Sequence, residues 1–326
     1  MEREGGQWQV TEIDDATQIG SARRNAARLA EFGELPETAA GQLGLIAVEL
    51  GTNLLKHAVR GRLFMRMERS DEGAVVDVVA IDHGPGMDLE RCFHDGFSTT
   101  GTSGTGLGAV RRAASVFDAY SDSRGSVVFA RLGTMPGPRR GSISIPLKGE
   151  LESGDQWQFL PTPQGWSAIV VDGLGHGPGA ATASDAVIAA HRQWPGEPGR
   201  CLTVAHERSH GTRGSACSTV AFDRESRVLV HAGIGNVAVV VIGLDDARGL
   251  ASQNGTLGGI CPTVRENRVE VGRGALAALH TDGLASRWSV HSYPGLRTRH
   301  PQVVAATLFR DVQRVRDDAT VLVIET

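Results

Sequence analysis

Two kinds of hydrophobic pattern divide this chain. In the first part, apolar residues recur at helical spacing in two long runs, then at every second position in shorter ones. Residues 19–32 set their apolar side chains on one stripe. Residues 38–59 do so at Leu43, Ile46, Ala47, Leu50 and Leu54, the spacing of a helix that faces a core, and Gly61 marks its end. Strands are expected at 63–68 and 74–81, joined by a turn at 70–73. A loop follows at 82–87. Residues 93–104, rich in Gly, Ser and Thr and without periodicity, read as a lid. A helix at 107–117 and strands at 117–120 and 126–132 complete this part.

Residues 135–141, MPGPRRG, read as a linker, after which the pattern changes to many short apolar runs separated by turns. Strands are expected at 142–147, 157–160, 166–171, 216–223, 228–233, 237–242, 277–281 and 319–325. Helices are expected at 180–193, 196–209 and 301–312. A length of 326 residues suits two domains: 1–136 and 142–326, with 137–141 between them. A net charge of −4 gives no electrostatic support to nucleic-acid binding. Cys92, Cys201, Cys217 and Cys261 show no paired spacing, so reduced thiols in a cytoplasmic protein are expected rather than zinc or disulfides. MEREGGQWQV lacks the apolar segment of a secretory leader. No apolar run approaches the ~20 residues that span a bilayer.

Three elements of the first part carry candidate chemistry. Glu49 and Asn53, in ELGTNLLKHA, lie at i, i+4 on one helix face. A carboxylate and an amide oxygen there could orient a nucleophile and hold Mg²⁺. Asp82, in DHGPG, can accept from an exocyclic amine, and Gly84 and Gly86 permit close backbone approach. GTSGTGLG, 101–108, opens a helix whose free N–H groups suit phosphates. Singly, each is as well explained by a solvated helix face or a turn; the three in this order form a stronger signal. ELGTNLLKHA, DHGPGM and GTSGTGLGAV resemble the nucleotide-binding boxes of the GHKL (Bergerat-fold) ATP-binding domains, nearest to anti-sigma serine kinases of the RsbT and RsbW kind. The resemblance covers about residues 8–134. It implies a two-layer α/β sandwich binding ATP with Mg²⁺. Glu49 would be the general base, Asn53 the Mg²⁺ ligand and Asp82 the adenine reader. Gly84, Gly86, Gly104, Thr105, Gly106, Leu107 and Gly108 would shape the pocket and lid.

In the second part, DGLGHGPGAA (172–181) follows one expected strand and precedes a helix. Gly175, Gly177 and Ala180 also fit a dinucleotide-binding GxGxxA, although strand–helix alternation is lacking. Asp155 in SGDQW, Asp282 in HTDGL, and Asp317 and Asp318 in RDDATV stand at other strand ends. Carboxylates gathered at one sandwich edge could hold two divalent ions, lower the pKa of water and clamp a phosphoryl group. Hard oxygen donors favour Mg²⁺ or Mn²⁺ over zinc. His176 reads as a support of the turn.

SGDQW, VDGLGHG, GIGNV, TDGL and RDDATV, in that order, resemble the metal-dependent PPM (PP2C-type) serine phosphatases of the SpoIIE and RsbX branch. This implies an α+β chain whose second domain is an α-β-β-α sandwich. Asp155, Asp172, Asp282 and Asp317 would hold two Mn²⁺ or Mg²⁺ ions with the Gly173 carbonyl, and Asp172 would bridge them. SGDQW and TDGL lack acids that much of the family carries. The two resemblances together imply a cytoplasmic partner-switching regulator acting on a phosphorylated STAS-type anti-anti-sigma protein. A sigma factor or a second switch protein would be a further partner; nucleic acid and membrane would not. Two readings of the first domain stay open: a kinase for that antagonist, or a module in which ATP only shapes a binding surface.

Overall fold

The computed structural model describes residues 6–70, 72–89, 106–244, 246–314 and 316–326. The chain divides into two units, Met1–Pro136 and Gly137–Thr326.

In the first unit, Asp15 caps helix α1 (Ala16–Phe32) in a capping box with Gln18. Helix α2 (Glu37–His57) buries Leu43, Ile46, Ala47, Leu50 and Leu54, as their spacing predicts. Strands β1 (Gln9–Glu12), β2 (Arg62–Ser70), β3 (Gly73–Ile81), β4 (Val116–Asp122) and β5 (Gly125–Leu132) form one antiparallel sheet in the order β1-β2-β3-β5-β4. Alternate residues, Leu63 and Met65, Val76 and Val78, Val128 and Ala130, pack against the helices. This is the expected two-layer sandwich. The opposite parity is buried too, and there Asp77 accepts from Arg66 at 3.0 Å and Arg131 at 2.6 Å. Burial of both faces explains why β3 and β5 read as continuous apolar runs. Helix α3 is Gly106–Ala113, shorter than expected, because the chain turns extended again from Val116.

The second unit stacks two antiparallel sheets. One runs β13 (Asn267–Glu270), β10 (Val228–Ile234), β9 (Ser215–Asp223), β8 (Gly165–Gly173), β7 (Asp155–Pro161). The other runs β12 (Ala247–Leu250), β11 (Ala238–Ile242), β14 (Leu276–His280), β15 (Ala319–Glu325), β6 (Arg140–Ile145). Between them lie Trp166, Ala168, Val170, Val220 and Phe222 from one sheet and Val239, Ala277, Leu279, Leu322 and Ile324 from the other. Helices α4 (Pro178–Gln193) and α5 (Pro198–Arg208) cover the first sheet through Val187, Ile188 and Leu202 against Ile169, Val171 and Cys217. Helix α6 (Pro301–Val312) covers the second through Gln302, whose side chain exchanges two hydrogen bonds with the Ser142 backbone. The result is an α-β-β-α sandwich.

Arg140 and Gly141, read in the sequence as linker, belong to β6. A Cβ on Gly141 would lie 2.1 Å from Gln302 Cα, so this glycine serves close helix packing, not flexibility. The strand before DGLGHG lies antiparallel to both its neighbours. That excludes the parallel βαβ unit on which a dinucleotide-binding turn depends.

Candidate functional sites

The interior of the second unit changes character at one end. Trp157 and Phe159 of β7 and Trp166, Ala168 and Val170 of β8 face the opposite sheet. The same parity continues to Asp155 and Asp172, which stand directly opposite each other in the register. In the other sheet it continues from Leu279 to Thr281 and from Leu322 to Thr320. The last layer of this core is therefore two carboxylates and two hydroxyls.

Like charges facing each other across an antiparallel pair, with Cβ atoms about 4.5–5.5 Å apart, repel. Burial, and then the charge of Asp172, push the Asp155 carboxyl well above the usual carboxylate range. Thr281 Oγ1 opposes this by donating to Asp155 Oδ2 at 2.7 Å. Thr281 Oγ1 itself accepts from Thr320 N–H at 3.1 Å, and Thr320 Oγ1 bonds Ser144 Oγ at 2.7 Å. Asp172 is pushed up to about 7, by burial first and then by Asp282, Asp317 and Asp318. Asp282, just past β14, is raised by burial and then by Asp317; Arg314 and a 2.8 Å hydrogen bond from Asn236 Nδ2 act against that.

Asp317 and Asp318 differ in what they touch. Asp318 is 2% exposed, and its two oxygens accept from Leu147 N–H and Gly154 N–H, both at 2.6 Å. It ties two loops together. Asp317 is exposed and accepts only a local bond, from Asp318 N–H at 2.9 Å, while its charge reaches Asp172 and Asp282. Glycines let the backbones meet here. A Cβ on Gly173 would lie 2.2 Å from Ala180 O, and one on Gly283 would lie 1.8 Å from Asp318 O. His176 is exposed and pairs with Glu150 at 2.7 Å.

Among the described residues, no three His, Cys, Asp or Glu side chains stand close enough to form a metal cage unaided. The donors are all hard oxygens, and burial first, then the neighbouring carboxylates, raises Asp155, Asp172 and Asp282. That set fits Mg²⁺ or Mn²⁺, ions that complete their shells with water.

In the first unit, two of the three motifs meet. α2 sets Glu49 and Asn53 one turn apart. Gly106, the first residue of α3, faces them: a Cβ there would lie 2.9 Å from Glu49 Oε2 and 3.7 Å from Asn53 Oδ1. Helix-initial N–H groups beside an acid and an amide suit a nucleotide phosphate with its Mg²⁺. Leu107 and Gly108 follow in α3. Asp82, 8% exposed, ends the loop side of β3, and its Oδ1 accepts from Gly84 N–H at 2.6 Å. Gly86 has φ +84°, and a Cβ on it would lie 2.3 Å from Asp122 O. Gly104, Thr105 and the lid lie outside the described residues.

Residues 162–326, half of the chain, match the family described as "Stage II sporulation protein E (SpoIIE)". The chain belongs to the SpoIIE family. Residues 14–132 of this SpoIIE-family chain match the "Histidine kinase-like ATPase domain". "Serine/threonine-protein kinase RsbT" of Bacillus subtilis (strain 168) is 31% identical over 113 residues, which are 34% of this chain and 79% of RsbT. A chain solved under the heading "The bacterial stressosome: a modular system that has been adapted to control secondary messenger signaling" is similar in fold. Its TM-score is 0.54 at 22% identity, over 58% of this chain and 100% of that one. RsbX in complex with magnesium gives a TM-score of 0.51 at 18% identity, over 60% of this chain and 98% of that one. The chain thus joins a kinase-like ATPase domain to a PP2C-like sandwich. No helix among the described residues is long and apolar enough to cross a membrane.

The sequence reading passed over Thr281, Thr320 and Asn236. The two threonines were findable by carrying the inward parity of β14 and β15 one step past the strand ends. Asn236 stands in GIGNV, directly after β10, and its partner Asp282 lies 46 positions away.

Proposed function

We infer that this chain is a partner-switching regulator whose second unit hydrolyses phosphoserine or phosphothreonine on a STAS-type anti-anti-sigma protein. One observation carries the reading: Asp155 and Asp172 stand opposite each other in register, at the same end of the sandwich as Asp282, just past β14, and Asp317, just before β15. RsbX, similar in fold, was solved with magnesium. Asp155, Asp172, Asp282, Asp317 and the Gly173 carbonyl would hold two Mn²⁺ or Mg²⁺ ions. When bound, such ions supply the acidity that makes water a nucleophile and the charge that clamps a phosphoryl group. The chain's own side chains hold the donors in place. Thr281 bonds Asp155, Asn236 bonds Asp282, and Asp318 binds the loops before β7 and β15 to each other. Asp172 faces Asp155 and feels the charges of Asp282 and Asp317, so it would be a central donor of this set.

The first unit supplies the opposing activity. RsbT is a serine/threonine-protein kinase. Asp82 would read the adenine of ATP, and Asn53 would hold Mg²⁺. Gly84, Gly86, Gly104, Thr105, Gly106, Leu107 and Gly108 would cradle the nucleotide. Glu49 would take the proton of the antagonist's hydroxyl as phosphate is transferred. The test is phosphate release by the pure protein from a phosphorylated STAS partner in Mn²⁺. Asp172→Asn and Asp282→Asn abolish release on this reading; undiminished release by either overturns it.

A further inference from the structure

The strand registers assign the loops of the second unit to its two ends. The pairs Asp155↔Asp172, Gly173↔Ser215, Cys217↔Ile234, His280↔Val321 and Ala319↔Ile145 all lie at or next to the carboxylate end. Loops 146–154, 174–177, 209–214 and 251–266, with residues 313–314 and 316–318, therefore gather around it. Among the described residues of this unit, the large apolar side chains left in solvent are Leu151 (88% exposed), Leu174 (44%), Leu244 (70%) and Ile260 (90%). Leu244 lies in the turn between β11 and β12, at the far end. The other three lie in loops at the carboxylate end.

Leu174 follows Gly173 directly, and its N–H donates to Gly214 O at 3.0 Å. Ile260 closes the neighbouring turn, its carbonyl accepting from Thr256 N–H at 2.8 Å, and Thr256 Cγ2 packs beside Gly214. Leu151 adjoins Glu150, which holds His176. Single exposed apolar side chains are ordinary on any surface. Their segregation to one end, together with two cations, is not. Arg213 is exposed, donates to His176 O at 3.3 Å and lies over the start of α4, where a Cβ on Gly179 would meet its Nε at 2.7 Å. Arg314 is exposed and is held beside Asp282 by its backbone N–H, which donates to Gly283 O at 2.7 Å.

We propose that Leu151, Leu174, Ile260, Arg213 and Arg314 form a docking rim for a folded phosphoprotein, the antagonist whose phosphoserine or phosphothreonine enters the carboxylate centre. The proposal rests on the phosphatase reading above. Charge complementarity selects this occupant. A phosphate dianion needs cationic partners in a region otherwise lined by acids, and guanidinium groups match it in geometry as well as charge. The apolar side chains cover protein surface next to the phosphorylated residue, as anchors at interface centres do. A small phosphate ester needs the cations but none of the three apolar side chains.

The experiment compares the full chain in Mn²⁺ on two substrates, the phosphorylated antagonist and p-nitrophenyl phosphate. Leu151→Ser combined with Ile260→Ser lowers kcat/KM for the phosphoprotein by about tenfold or more, mainly through KM, and leaves the small ester within about twofold. Arg213→Ala raises KM for both substrates. Thermal melts run beside the kinetics confirm that each variant is folded. Unchanged phosphoprotein kinetics in either variant, or an equal loss on both substrates in the Leu151→Ser, Ile260→Ser variant, overturns the rim. So does a wild-type dimer, seen by sedimentation, that Ile260→Ser dissociates, since the surface then belongs to a second copy. A wild type that cleaves the small ester but not the phosphoprotein overturns the rim and leaves the phosphatase chemistry standing. A wild type that cleaves neither overturns both.

Discussion

Thr281→Val tests how the acidic end is held together. Valine keeps the volume and removes the hydroxyl. Asp155 Oδ2 loses its donor at 2.7 Å, and Thr320 N–H loses its acceptor at 3.1 Å. Both sides of the contact are buried, with Thr281 1% and Asp155 4% exposed. A buried polar group stripped of its partner costs about 1–3 kcal/mol. Without a cation, Asp155 escapes part of that cost by taking up a proton, because burial and Asp172 already push its carboxyl up. A cation needs the ionised form, so the loss falls on metal binding. Removing an outer partner of a ligand weakens metal affinity about 10–100-fold, or about 1.4–2.8 kcal/mol. Titration calorimetry of Mn²⁺ into metal-stripped protein reads the affinity, and a urea melt in parallel reads stability. Thr281→Ser keeps the hydroxyl and binds Mn²⁺ as the wild type does. Wild-type Mn²⁺ affinity in a folded Thr281→Val protein would refute the reasoning.

Four further outcomes follow from the same structure. Asp318→Asn leaves only one side-chain acceptor for the Leu147 and Gly154 amides and lowers stability in urea by about 1–3 kcal/mol. Asp317→Asn melts within about 0.5 kcal/mol of the wild type but loses Mn²⁺-dependent phosphate release; the reverse pattern would exchange their roles. Burial holds His191 neutral, with its pKa lowered from 6.5 to about 3, between Ser167 Oγ and Gln158 Oε1 at 2.8 Å each. A folded pKa below the unfolded one gives stability that is complete above pH 6.5 and lost as pH falls toward 3. The loss is about 1.4 kcal/mol per pH unit. Urea melts at neutral and mildly acid pH should show that slope reduced in His191→Gln, and an equal slope in both proteins counts against this histidine. Glu49→Gln keeps ATP binding and slows phosphotransfer to the antagonist by about a hundredfold or more; equal transfer excludes Glu49 as the base.

Much of the architecture was legible because burial leaves a period in the sequence. The Leu43-to-Leu54 face shows helical spacing, and 166–171 is a short apolar run of strand length. The short strands β1, β12 and β13 were not legible, since their side chains are mostly exposed and carry no apolar alternation. Gly141 reads as a hinge in sequence and serves as a contact with α6 in space. At the acidic end, four aspartates were readable from the turns that hold them. Asp155 was expected at the start of a strand and begins β7, which is what sets it opposite Asp172. The distinction between Asp317 and Asp318 depends on which oxygen meets the Leu147 and Gly154 amides, a tertiary fact. Thr281 and Thr320 look neutral in sequence because a threonine ending a β-strand is commonplace; only the pairing of β14 with β15, and of both with β7 across the core, gives their hydroxyls a carboxylate to hold.

The most direct measurement is the intact mass of a phosphorylated STAS antagonist incubated with the metal-stripped protein, with and without added Mn²⁺. The antagonist should lose one phosphoryl group when Mn²⁺ is present, keep it when Mn²⁺ is absent, and keep it in both samples with Asp172→Asn. Equal loss with and without Mn²⁺, or loss that survives Asp172→Asn, would contradict the assignment of the acidic end as a metal-dependent phosphatase centre.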